Sequence, residues 1–370
     1  KGADAKFAPG HPEKVIDYGH RSEHEMAVKS KAIIKAYYGR DPKLSYWNGC
    51  STGGKQGLME AQRYPEDFDA ILAGAPANFQ THLHAWTVWV GQTNLKDADA
   101  RVPVAKFANI TKAAVAACDL LDGVKDGLLN DPRKCTFDPS AMLCKEGDKE
   151  DCLTARQVET VKTLYSAPKF SNGTVIFPPY TKSSEIGWNL MAGGPDPAAV
   201  GLDTFRYITY NKPDWDWRTF DLSKDTQAAD EVDRGIINAT NPDLSKFKAH
   251  GGKLLMYHGW IDQLIAPENS INYYQSVLGK MGQKQDDWLR LFMVPGMQHC
   301  RGGPGLDQFN GMAALERWRE SNEAPTSILA AHVVAGAIEM SRPLCPYPQV
   351  AKYKGTGSVN DAGNYACRQP

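Results

Sequence analysis

Tyr46-Trp47-Asn48-Gly49-Cys50-Ser51-Thr52-Gly53-Gly54 is the stretch whose reading decides the fold. Gly49-x-Ser51-x-Gly53 fits a nucleophile elbow, a sharp strand-to-helix turn that lifts a serine hydroxyl clear of a sheet. The flanks agree with that placement. Leu44-Ser45-Tyr46-Trp47 is β-prone, and Lys55 to Tyr64 is rich in helix formers until Pro65 stops the run. The glycines have a mechanical reason, because a strained turn against a following helix leaves no room for Cβ atoms. A bare G-x-S-x-G arises by chance in many chains, so the rest of the sequence has to support it.

Upstream, residues 1 to 21 carry glycine and proline and read as an irregular approach. Ser22-x-x-Glu25 is a capping-box pattern that predicts a helix through Met26, Ile33, Ile34 and Tyr37, ended by Gly39. Downstream, Ala70-Ile71-Leu72-Ala73-Gly74-Ala75 predicts a buried parallel strand. This strand-helix alternation predicts a doubly wound α/β sheet. From about 78 to about 250 the pattern changes, with aromatic segments at Trp86 and Trp89 and at Phe205, Tyr207, Tyr210, Trp215 and Trp217. Thr154-x-x-Gln157 opens a helix within it. This block is expected to be an inserted lid domain, its aromatics mostly its own core. The α/β pattern returns at Lys253 to Gly259 and at Trp288 to Val294, with a helix through Met312, Leu315 and Trp318. The expected organisation is a catalytic domain of residues 1–77 and 251–370 interrupted by a lid of residues 78–250.

The chain has 370 residues, long enough for one large core and a second unit, since single cores stop growing near ~250–300 residues. The net charge of −1 offers no basic stripe for nucleic acid. No apolar run approaches the ~20 residues of a membrane span, so neither nucleic acid nor membrane is an expected partner. There are eight cysteines and no C-x-x-C pair, which favours disulfides in an oxidising compartment over zinc or redox chemistry. Local spacing suggests Cys118 with Cys135, Cys144 with Cys152 and Cys345 with Cys367, a stapled strand pair, and leaves Cys50 for Cys300. Eight cysteines allow on the order of a hundred pairings, so proximity is only a guide. The sequence starts at Lys1 with no apolar signal region and reads as a processed or trimmed, secreted form. Asn109, Asn172 and Asn238 begin N-x-[ST] sequons.

Ser51, Asp262 and His299 each follow a predicted strand end, where open α/β sheets place ligands, and they run in the order Ser…Asp…His of α/β-hydrolases. Histidine can take the serine proton and return it to a leaving group, while a buried carboxylate fixes its tautomer. Alone, His299 would read as an ordinary loop histidine and Asp262 as a turn carboxylate. Order, strand-end placement and the elbow together favour the triad over competitors such as His258 and Asp307. If Ser51 and His299 meet, their neighbours Cys50 and Cys300 are close enough to test for a disulfide. Cys118-Asp119-x-x-Asp122-Gly123-Val124-x-Asp126-Gly127-Leu128 gathers three carboxylates in one turn. From composition alone it fits an all-oxygen Ca²⁺ site and a solvated acidic turn equally well.

The elbow run through Gly57, Gln62-Arg63-Tyr64-Pro65, Ala73-Gly74-Ala75-Pro76, His258-Gly259-Trp260-x-Asp262 and Pro295-Gly296-Met297-x-His299-Cys300 closely resemble the tannase and feruloyl esterase family. The resemblance implies an α/β-hydrolase sheet with a large inserted lid. It implies Ser51 as nucleophile, His299 as base, Asp262 as its orienter, and a Cys50–Cys300 bridge. It also implies a structural Ca²⁺ held by Asp119, Asp122 and Asp126 with the carbonyls of Val124 and Leu128. The expected substrates are small aromatic esters, above all feruloyl and coumaroyl esters of plant cell wall. The alternatives are gallate esters, a terephthalate monoester, and a non-catalytic phenolic- or polysaccharide-binding module. An oxyanion hole needs the backbone N–H of Thr52 and a second donor from a loop after an earlier strand. About forty-five residues precede the elbow, too few for that loop, so the N-terminal strands and the second donor are expected on a missing segment or partner chain of the same precursor.

Overall fold

The computed structural model describes residues 4–370. Its central sheet is four parallel strands in chain order: β1 (Tyr46–Cys50), β2 (Ala70–Gly74), β3 (Lys253–Gly259) and β4 (Leu289–Val294). Because side chains alternate along a strand, each strand feeds two cores. Ile71, Ala73, Leu254, Met256, Leu291 and Met293 point to one face. That face is covered by α3 (Thr52–Arg63), through Leu58 and Met59, and by the helix Glu268–Met281, through Ile271 and Val277. Ala70, Leu72, Leu255, Phe292 and Val294 point to the other face, against Leu315 and Trp318 of the helix Gly311–Ser321. Burial on both faces is why these strands read as near-continuous apolar runs. Each large side chain buried there contributes roughly 1.5–3 kcal/mol of transfer free energy.

The chain between β2 and β3 forms the insertion. Its core joins Trp86 of α4 (Gln80–Leu95), Phe107 of α5 (Val104–Cys118), Val158 and Val161 of α6 (Ala155–Leu164), and Phe177, Tyr180 and Trp188. A second cluster holds Phe205, Trp215, Trp217 and Phe220, so these aromatics are core as expected, whereas Tyr210 stays 37% exposed. Thr154 caps α6 through the full reciprocal box with Gln157. The insertion's main cluster also takes in Ile265 and Ala266 from beyond β3, while Ala239, Leu244 and Phe247 pack with the sheet, so the sheet's core reaches back well before residue 251.

Three features differ from the sequence reading. Helix starts at Pro12, not Ser22: α1 (Pro12–Ile16) runs through one π turn, Asp17–Arg21, into α2 (Ser22–Tyr38). Ser22 makes no cap; its hydroxyl donates to Asp17 O at 2.8 Å, the bond of a residue already inside a helix. Residues 1–3 of the expected irregular approach lie outside the described residues. The apolar stripe of α2 also faces outward, with Met26 50%, Ile33 68% and Tyr37 80% exposed and only Ala27 buried. A three-stranded antiparallel sheet, β5 (Gln308–Phe309), β6 (Ile328–Val334) and β7 (Ala337–Leu344), was not anticipated; it packs Ile328, Ala330 and Met340 beside Trp318.

The three pairs that spacing suggested form, Cys118–Cys135, Cys144–Cys152 and Cys345–Cys367, and so does the pair left over, Cys50–Cys300, which the family resemblance also implied. Cys345–Cys367 staples the strand pair β8 (Val350–Tyr353) and β9 (Tyr365–Arg368).

Candidate active site

β1 ends at Cys50 and α3 begins at Thr52, so Ser51 alone makes the turn, at φ 65° and ψ −121°. A non-glycine residue there stores on the order of 1–3 kcal/mol of strain and needs surroundings that hold it. They do: Ser51 N donates to Gly74 O at 2.9 Å, and Ser51 O accepts from Lys55 N at 3.0 Å and Ala77 N at 3.1 Å. The neighbouring glycines are sterically required. A Cβ on Gly49 would sit 2.5 Å from Gly53 O, and one on Gly54 would run into Gly74 O. Ser51 is half-buried and Thr52 exposed. Thr52 occupies the first position of α3, where a backbone N–H has no intrahelical acceptor and is free to meet negative charge.

Asp262 lies just past β3 and is fully buried. Its Oδ1 accepts Leu264 N at 2.8 Å and Ile265 N at 2.9 Å. Its Oδ2 accepts His299 Nδ1 at 2.7 Å and His258 Nε2 at 3.0 Å. Burial alone would raise this carboxyl, but the charge of His299 and the hydrogen bonds of His258 and His299 outweigh it, so Asp262 is held far below the usual carboxylate range. His299 sits past β4, its side chain 13% exposed. With Nδ1–H turned to the carboxylate, Nε2 keeps its lone pair, the tautomer a general base needs.

Cys50 and Cys300, the neighbours of Ser51 and His299, are bridged with Cα atoms 6.0 Å apart. The elbow and the histidine loop are therefore one covalent unit. Cys300 itself is at φ 63°, and a Cβ on Gly259 would collide with Met297 O, so the Asp262 and His299 loops also pack backbone to backbone. The insertion grips the same loops from above. Thr181 Oγ1 donates to Trp260 O at 2.6 Å and Tyr180 OH to Gln263 O at 3.1 Å, while Gln263, itself outside the insertion, accepts from His299 N at 3.3 Å through Oε1. Gly187 presses on Gln263, leaving no space for a Cβ, which would lie 2.6 Å away.

Sequence reasoning set His258 aside as a poorly placed competitor. The structure puts it, fully buried, on Asp262 Oδ2, the oxygen that His299 also binds. The signal was present in the spacing of His258 and Asp262 around a strand end, but only the fold shows that both histidines share one oxygen. Gln263, Tyr180 and Thr181 had no such signal, because they lie far apart in sequence. Asp307 makes no bond to His299: it accepts from Gly302 N at 3.0 Å, farther along the histidine loop, and faces His332.

In the acidic turn, Asp119 Oδ1 accepts Asp126 N at 3.2 Å and Gly127 N at 2.9 Å, Asp122 Oδ1 accepts Val124 N at 3.0 Å, and Asp126 pairs with buried Arg342. Among the described residues, no group of three or more His, Cys, Asp or Glu side chains is arranged to hold a metal ion. Yet Asp122 Oδ2 is buried with no hydrogen-bond partner, and burial followed by the charges of Asp126 and Asp119 raises its carboxyl to about 6 despite a bond from Val124.

A serine on a strained elbow, tied through its neighbour to the loop of a carboxylate-oriented histidine at the end of a parallel sheet, is the arrangement of a serine hydrolase of the α/β-hydrolase class. The comparisons narrow this further. The family model described as tannase and feruloyl esterase matches residues 1–368, and the chain belongs to that family. It is 36% identical to a probable feruloyl esterase B of Aspergillus clavatus, over 96% of this chain and 72% of that protein. Two crystal structures from Aspergillus oryzae superpose closely: an esterase with TM-score 0.92 at 32% identity, covering 99% of this chain and 77% of that one, and feruloyl esterase B with TM-score 0.89 at 32% identity, covering 95% and 74%.

Proposed function

We propose that this protein hydrolyses feruloyl and coumaroyl esters through an acyl-enzyme on Ser51. The observation that carries the mechanism is the 2.7 Å Asp262–His299 bond with the Cys50–Cys300 bridge beside Ser51 on its strained turn. Ser51 Oγ attacks the ester carbonyl while His299 Nε2 takes its proton, and Asp262 stabilises the imidazolium. The oxyanion develops toward the Thr52 N–H, as donors at a helix N-terminus favour negative charge. Collapse expels the alcohol, which receives the proton from His299. Water, activated by the same nitrogen, then releases the aromatic acid and frees Ser51. The names of the relatives at 34–36% identity favour feruloyl over gallate esters.

Four disulfides support an extracellular or periplasmic setting. Among the described residues no helix is long and apolar enough to cross a membrane. We propose further that the acidic turn takes calcium. The unpartnered Asp122 oxygen and the all-oxygen donor set of Asp119, Asp122, Asp126 and the Val124 and Leu128 carbonyls suit a hard cation, whose charge would stabilise the clustered carboxylates.

Ester turnover tests the mechanism. The wild-type protein is expected to cleave methyl ferulate in preference to methyl gallate, and Ser51→Ala to lower kcat by ~10⁵–10⁶-fold. Retention of ester cleavage by Ser51→Ala would sink the assignment.

A further inference from the structure

Asp262 is bound by two histidines, and the serine mechanism uses only one of them. His258, on β3, is fully buried, with Nε2 3.0 Å from Asp262 Oδ2 and 3.0 Å from Ile265 O, and Nδ1 2.7 Å from Ser270 Oγ. The tautomer follows from the partners. The Ile265 carbonyl can only accept, so Nε2 carries the hydrogen and shares it between that carbonyl and the carboxylate. Nδ1 then has a lone pair, which the Ser270 hydroxyl satisfies. His258 is therefore oriented at both nitrogens by groups on the loop and helix that follow it, and Ser270 is itself fully buried.

The carboxylate is saturated as a result. Leu264 and Ile265 N–H groups fill Oδ1, and His299 and His258 fill Oδ2. Without His258, Oδ2 would have His299 as its one remaining partner, and the carboxylate, still anchored at Oδ1 by the two backbone N–H groups, could tilt about that anchor and carry His299 with it. We infer that His258 is a positioning residue for ester hydrolysis, fixing the Asp262 carboxylate so that His299 Nε2 stays aimed at Ser51. This rests on the serine-esterase reading above. It assigns a task to the first residue of the His258-Gly259-Trp260-x-Asp262 segment that composition and order left without one.

The test uses variants of similar polarity but different reach. In His258→Gln the amide nitrogen falls near the position of Nε2 and can still donate to Asp262. In His258→Asn the amide falls near Nδ1 and reaches only Ser270. The expected result is a kcat for His258→Gln within about fivefold of wild type, and for His258→Asn a loss of about 10- to 100-fold, the effect of one hydrogen bond to a charged group. KM should stay within about twofold in both, because the substrate does not touch His258. Thermal unfolding is measured alongside, and Ser270→Ala, which removes only the distal support, is expected to fall between the two. Equal kcat in the Gln and Asn variants would overturn the inference. So would losses appearing in KM, or losses that follow the unfolding temperature across the three variants. Ser51→Ala in the same assay separates the two levels: if it stays active the esterase mechanism fails, and if it is dead while the histidine variants behave alike only this inference fails.

Discussion

Removing the bridge between the elbow and the histidine loop should damage stability and catalysis together. Cys50 and Cys300 are 250 residues apart, and in the chain-entropy model a loop of that length corresponds to about 5 kcal/mol taken from the unfolded state's advantage. Cys144 and Cys152 are 8 apart, for which the same relation gives about 2–3 kcal/mol. Catalysis separates the pairs more sharply. Only the first joins residues adjacent to Ser51 and His299, and without it both left-handed residues, Ser51 at φ 65° and Cys300 at φ 63°, are freer to relax. A shift of about 1 Å between nucleophile and base costs on the order of 10²-fold in rate. The double variants Cys50→Ala/Cys300→Ala and Cys144→Ala/Cys152→Ala would be compared by urea unfolding and by kcat on methyl ferulate, well below either transition. The expectation is a larger loss of stability for the first, with kcat down about 100-fold, and near-wild-type kcat for the second. A folded Cys50→Ala/Cys300→Ala enzyme with wild-type kcat would show that the bridge does not set catalytic geometry.

Two further outcomes follow from groups away from the triad. Glu60 is buried in α3 with neither carboxylate oxygen partnered, and burial, then the charge of Asp67, raises its carboxyl to about 9. The folded state thus keeps a proton that the unfolded chain releases above about 4.5, and stability drains away as pH climbs from there to about 9. Glu60→Gln, which mimics the protonated acid, should match wild type at pH 4 and exceed it at pH 8 by on the order of 2–4 kcal/mol; parallel stability curves would refute this. Lys55, lowered to about 8 by burial, is common to both proteins and cancels in the comparison. For the acidic turn, a chelator should lower the melting temperature by about 3–4 °C if calcium is present at ~100 times its Kd, with recovery on adding Ca²⁺; an unchanged melting temperature would argue for a metal-free turn.

The parts of the fold readable from sequence were those under local control. The strands showed as apolar runs because both their faces are buried, and α6 showed through a cap contained in four residues. Ser51, Asp262 and His299 were each marked by a strand end. Misreadings arose where distant contacts decide. The start at Pro12 depends on a helix that continues through a π turn, which no local pattern announces. The hairpin of β6 and β7 has exposed apolar residues such as Leu329 and Ile338, so its alternation does not mark a core face cleanly. His258 was passed over because its partners, Ser270, the Ile265 carbonyl and Asp262 Oδ2, assemble only when helix, loop and strand are in place.

The insertion between β2 and β3 also has a kinetic meaning. Those strands are paired along their length, yet the chain leaves at Gly74 and returns at Lys253. Closing so long a flexible loop is entropically unfavourable, and contacts of this separation slow folding. The insertion has its own core around Trp86, Phe177 and Trp188, and its neck is tied where Ala239 N meets Asn78 O at 2.8 Å. A prefolded insertion would deliver the two strand ends side by side and turn a remote encounter into a near-local one. Lesions in that core would then delay the joining of β2 to β3 and leave Ile71 and Leu254 exposed in the waiting chain, so that poor yield, rather than a poor enzyme, would be their first symptom.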